Sequence, residues 1–125
     1  TCPRAAAAIG TLEADGVMRD MQQRLDADEA LAAGYAAAHT AYLADRERLG
    51  SVPEIDGISA GGMPNRVKCL HVLAAHSLAS GRRVNQLGDE VFATPTICGS
   101  RIYQRVATQR NGKRQELLYC LGSKP

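Results

Sequence analysis

The residues best equipped for chemistry in this 125-residue chain lie in one stretch. It runs Gly57-Ile-Ser-Ala-Gly-Gly-Met-Pro-Asn-Arg-Val-Lys-Cys-Leu-His71, with His76 shortly after. A glycine-rich loop leads into an expected helix start at Pro64. Backbone N–H groups at a helix N-terminus point outward, carry partial positive charge and attract anions. Arg66 and Lys68 would sit in the first turn, where cations oppose the macrodipole unless an anion is present. Gly61, Gly62, Arg66 and Lys68, assisted by His71, are therefore the expected site for a phosphate-bearing small molecule. The stretch has no G-x-x-x-x-G-K-[ST] pattern and no preceding strand, which excludes a nucleotide P-loop. The competing reading is a tight glycine turn with Arg66 and Lys68 paired to Glu54 or Asp56.

Cys2, Cys69, His71 and His76 form a second constellation, of the kind that holds zinc or, with enough thiolates, an iron–sulfur centre. It would make the chain a metal- or thiol-dependent enzyme or sensor. Continuous helix geometry opposes it. Residues 69 and 71 would be about 200° apart around the axis, and residues 69 and 76 separated by about 10.5 Å of rise. The site would need the helix to begin after Cys69 and Cys2 to come close; otherwise each histidine packs between helices against a carbonyl or carboxylate. Cys2, just before a helix start, could have a lowered thiol pKa and act as a nucleophile. His39 reads as structural, and no serine motif or carboxylate pair stands out. A third reading is binding of nucleic acid or another partner through the basic residues 101–114, which include Arg101, Tyr103, Arg105, Arg110, Lys113 and Arg114.

The elements that must position these groups are mostly helical. Pro3 suits a first helical position and opens a helix over 3–14, with Ala5, Ile9 and Leu12 on one face. Gly16 ends or bends it, and Met18, Met21 and Leu25 continue as a stripe. The strongest helix spans 27–49, capped by Asp26 with Glu29 three residues on. Leu31, Tyr35, Ala38, Tyr42 and Leu49 form its apolar stripe, and Gly50 stops it. A loop follows over 50–63. The next helix, 64–80, is apolar on most sides and reads as the buried central helix, stopped by Gly81. Residues 87–93 suit one or two more turns. Beyond them, 101–109 and 115–121 are strand-like around Asn111-Gly112, a strong hairpin signal. The expected fold is thus mainly α, a small helical bundle with a buried central helix and a C-terminal β-hairpin. Residues 1–90 form the helical domain and 91–125 a basic tail.

Composition agrees with one small globular domain: 45% hydrophobic, 22% charged, no Trp, one Phe and four Tyr. The net charge of +2 conceals an asymmetry. Residues 91–125 hold six Lys/Arg against one acid (+5), and residues 1–90 hold nine against twelve (−3). No apolar run approaches the ~18 residues of a membrane span. The four cysteines, Cys2, Cys69, Cys98 and Cys120, form no C-x-x-C pair. Reduced thiols in a cytoplasmic protein are the expectation. A start at Thr1-Cys2-Pro3 reads as a processed product or a fragment.

Four runs carry a family resemblance: Leu12-Glu-Ala-Asp-Gly-Val-Met18; Ala38-His-Thr-Ala-Tyr-Leu-Ala-Asp-Arg46; Gly57 to His76; and Val84-Asn-Gln-Leu-Gly-Asp-Glu90. Together they resemble the bacterial Domain of Unknown Function 501 family, common in actinomycete-type genomes, over roughly residues 1–90. The resemblance implies a bacterial intracellular protein and supplies no activity or catalytic residue. The chain departs from it in lacking the segment that usually precedes Thr1, in having Asn65 where Asp is expected, and in its tail.

Overall fold

The computed structural model describes residues 2–93 and, beyond them, the backbone of 103–110 and 113–120. Five α-helices make up the body: α1 (Pro3–Ala14), α2 (Val17–Ala27), α3 (Glu29–Glu47), α4 (Leu70–Ser80) and α5 (Gln86–Ala93). The mainly helical expectation holds. In the tail, Tyr103–Arg110 runs antiparallel to Lys113–Cys120, with Tyr103 opposite Cys120 and Arg110 opposite Lys113. The expected turn at Asn111-Gly112 lies outside the described residues, as do 94–102 and 121–125.

The helix boundaries follow from local chemistry. α1 begins at Pro3, whose missing N–H would have no helical partner there. Ala5, Ile9 and Leu12 form its buried face. Gly16 adopts a left-handed conformation (φ 86°) that lets the chain turn into α2. The expected cap of α3 is displaced by two residues. α2 continues to Ala27, and Asp28 does the capping, accepting from the N–H groups of Ala30 and Leu31 at 2.9 and 3.0 Å. Asp26 instead accepts from Gln22. Leu31, Tyr35 and Ala38 are buried as the stripe requires, but α3 ends at Glu47 and leaves Leu49 91% exposed.

The larger correction concerns the central helix. It starts at Leu70, not Pro64, and Cys69 is its N-cap with extended backbone (φ −154°, ψ 113°). Residues 57–69 form an ordered loop whose polar groups are satisfied from outside and within. Gln22 on α2 accepts from the Val67 N–H at 2.8 Å and donates to the Asn65 carbonyl at 3.1 Å. The Tyr35 hydroxyl donates to the Arg66 carbonyl at 3.0 Å. The Arg66 N–H reaches the Gly62 carbonyl and the Lys68 N–H the Gly61 carbonyl, both at 2.9 Å. Backbone groups that a longer helix would have paired locally have other partners here.

α4 packs against α1, α3 and α5. It buries Leu70, Leu73, Ala74, His76 and Ser77, while Ala75 and Leu78 reach solvent. Gly81 stops it as expected. α5 lies so close that a Cβ on Gly88 would fall 2.2 Å from the Leu73 carbonyl oxygen. Asn85 caps α5 by accepting from the Gly88 N–H, and Asp89 receives the Ser77 hydroxyl and the Arg83 N–H. Two arginines tie distant segments. Arg24 on α2 pairs with Glu90 on α5. Arg46 on α3 donates to the carbonyls of Ile58 (2.5 Å) and Ile55 (3.0 Å), fixing the exposed loop after α3.

Candidate functional site

Glu13, Cys69 and His71 converge where the C-terminal turn of α1 meets the start of α4. One potential ligand atom from each lies within 4.8 Å of the others. Glu13 closes the last turn of α1 beside the buried Leu12. Its Oε1 accepts the Leu70 N–H at 2.7 Å, so this carboxylate occupies the anion position at the N-terminus of α4. The same oxygen lies 3.2 Å from His71 Nδ1. His71 Nε2 lies 3.1 Å from the Ala6 carbonyl. A carbonyl only accepts, so Nε2 carries a proton and Nδ1 is the nitrogen that faces the cluster.

The electrostatics of Glu13 reflect these partners. Burial alone would raise its pKa. The Leu70 N–H, the His71 ring and the Cys69 thiol oppose burial and hold it below the usual carboxylate value. A thiol, an imidazole and an ionised carboxylate are zinc-class ligands. All three residues are half-buried, with side-chain exposures of 24% for Glu13 and 40% for His71, so the cluster sits at a solvent edge.

The expected constellations are therefore redistributed. Cys69 and His71 do come together, because Cys69 precedes the helix and its extended backbone removes the 200° separation that a continuous helix would impose. Cys2 and His76 do not join them among the described residues. Cys2 packs against the core at the start of α1. His76 is buried (6% exposed), stands edge-on to Tyr42 at 5.4 Å, and receives the Asn85 amide on Nδ1 at 3.3 Å. Its Nε2 has no hydrogen-bond partner among the described residues, and burial lowers its pKa against a weaker opposing pull from Asp45. His39 holds the loop through Ser59 at 2.7 Å, and Ser59 donates to the Met63 carbonyl.

The expected anion site loses its helix terminus. Arg66 and Lys68 are exposed but lie upstream of α4, on the loop, and no ion pair links them to Glu54 or Asp56. Gly61 and Gly62 have φ of 73° and 92°, and a Cβ on Gly62 would stand 2.6 Å from the Arg66 carbonyl oxygen. These glycines serve the turn. The side chains of residues 101–114, expected to contact nucleic acid, lie outside the described residues.

Sequence reasoning missed Glu13. It lies 56 positions before Cys69, and no spacing rule connects them. Its one signal was a place in the Leu12-Glu-Ala-Asp-Gly run.

No helix among the described residues is long and apolar enough to cross a membrane. No curated protein and no solved structure matches the chain. The family model described as Protein of unknown function (DUF501) matches residues 1–93, a span that contains all three members of the cluster. The chain belongs to the DUF501 family.

Proposed function

We propose that this protein binds one zinc-class divalent metal ion through Glu13, Cys69 and His71. The observation that carries the reading is the convergence of three different ligand types, from two segments far apart in sequence, within 4.8 Å. Tetrahedral nitrogen and oxygen ligands at zinc distances lie roughly 3.3 Å apart. The His71 Nδ1 to Glu13 Oε1 distance is 3.2 Å. The Nε2–H bond to the Ala6 carbonyl supplies the outer-shell contact that orients metal-ligating histidines and fixes their tautomer. Binding would displace the thiol proton of Cys69, so affinity should rise with pH. An iron–sulfur centre finds less support, because the cluster offers a single thiol among the described residues. A cytoplasmic location, with reduced Cys69, belongs to this proposal.

The test is calorimetric titration of the reduced, full-length protein with zinc. One ion per chain is expected. Cys69→Ser, Glu13→Gln and His71→Ala should each weaken binding, while Cys2→Ser and His76→Gln should leave it within a factor of about two. Uptake of less than about a tenth of an equivalent at micromolar zinc would overturn the reading.

We also propose that residues 1–90 are the working domain and that 91–125 form an appended basic β-hairpin. The antiparallel backbone register and the Asn111-Gly112 pattern support the hairpin.

A further inference from the structure

Resting on that metal reading, we propose that the centre is open. The ion keeps a fourth position for a small exogenous ligand, and the site selects a neutral oxygen or nitrogen donor, such as an alcohol, a carbonyl or an imidazole-like base, over an anion.

Three observations carry this. First, the cluster holds three ligand residues, and no fourth His, Cys, Asp or Glu joins it among the described residues. Three protein ligands plus an exchangeable position is the arrangement of reactive zinc centres, whereas structural centres are closed by four. Second, all three ligands fall inside the 1–93 family match, while Cys98 and Cys120 lie beyond it. The family segment thus holds the three-ligand set without the tail thiols. Third, the cluster is at a solvent edge, with the Glu13 and His71 side chains 24% and 40% exposed. A ligand arriving from solvent has no core to displace.

The preference for a neutral donor follows from charge. The Glu13 carboxylate and a Cys69 thiolate together cancel a dication, and His71 adds none as a neutral ligand. A three-imidazole centre keeps its full double charge, attracts anions and lowers the pKa of bound water to about 7. A neutral centre has no surplus charge for either task. Its fourth position should hold water as water, readily exchanged for another neutral donor. The chemistry that fits is polarisation of a neutral hydroxyl or carbonyl oxygen, not generation of metal hydroxide.

The test uses full-length protein loaded with cobalt(II), whose visible bands report coordination. Imidazole, azide and acetate are titrated separately at constant ionic strength, with cobalt retention checked by gel filtration. Imidazole should shift the bands saturably, one per cobalt, and at least about tenfold more tightly than either anion, a difference of ~1.4 kcal/mol. Equal or tighter binding of azide or acetate overturns the charge argument. Bands unmoved by all three overturn the open position. If Cys98→Ser with Cys120→Ser then restores the response, a tail thiol is the fourth ligand and the centre is closed. Failure to take up cobalt, or uptake without a thiolate-to-cobalt absorption, sinks the metal reading itself and is thereby distinguished from failure of this inference.

Discussion

α4 carries two histidines five residues apart in opposite surroundings. At its first turn, His71 is 40% exposed in its side chain and faces two oxygens, the Glu13 carboxylate and the Ala6 carbonyl. At mid-helix, His76 is 6% exposed, accepts from an amide and leaves Nε2 without a partner among the described residues. The same side chain thus serves as a metal-ligand candidate at one point and as a neutral core group at the other. The difference is made by what α1, α3 and α5 bring to each point. Five residues along a helix turn the two rings about 140° apart, so each meets different neighbours.

The comparison can be broken most severely at mid-helix. Gly88→Ala drives a Cβ into the Leu73 carbonyl and must force α5 off α4. We expect a loss of about 3 kcal/mol, at the upper end of overpacking costs, read from urea denaturation. If the variant were as stable as the parent, the close α4–α5 approach would be wrong. At the first turn the expected effect is on metal. His71→Ala should weaken zinc binding at least ~100-fold, or about 2.7 kcal/mol, with metal-free stability little changed. Equal losses from His71→Ala and His76→Gln would erase the distinction between the two histidines.

Glu13→Gln sharpens the contrast at neutral pH. It keeps the shape but weakens a charge-assisted bond to the Leu70 N–H, and should cost about 1–2 kcal/mol without metal. The pH dependence has a definite sign. The Glu13 pKa is depressed in the folded protein, so its contribution is present above the unfolded value of 4.5. That contribution is lost as pH falls through the folded value, and a Gln variant should lack this acid-side loss.

The mildest effect belongs to His76. Its folded pKa is lowered from 6.5, so the unfolded chain takes up the proton first. Stability is complete above about pH 6.5 and declines as pH falls toward the depressed value, by at most ~1.4 kcal/mol per unit. His76→Gln should flatten that slope. An unchanged slope would mean that burial does not hold His76 neutral.

Much of the helical body was legible in the sequence because its signals are local. Pro3 and the Ala5, Ile9 and Leu12 spacing set α1, and Gly81 ended α4. What escaped was decided by partners distant in the chain. Pro64 reads as a first helical position, yet Gln22 and Tyr35 take up the backbone groups of Asn65, Arg66 and Val67, and the segment stays out of the helix. That displacement swings Cys69 toward His71, which a continuous helix forbids. Glu13 completes the set from α1, and only the fold makes it a neighbour. The Gly61 and Gly62 run was visible, and the structure gives both residues left-handed backbone; a left-handed turn and an anion cradle look alike in one sequence.

The two arginine ties should respond differently to ionic strength. Arg24 meets the carboxylate of Glu90 across α2 and α5, with half of its own side chain in water. Added salt screens such a pair, and this α2–α5 tie should loosen with it. Arg46 instead grips the neutral carbonyls of Ile55 and Ile58. Its carboxylate neighbour, Glu47, stands farther off at 3.9 Å, so salt has less to screen there. In concentrated electrolyte, the loop carrying Leu49, Val52, Ile55 and Ile58 should therefore stay anchored after the Arg24–Glu90 tie has weakened, keeping an apolar surface displayed under the conditions that most favour its association.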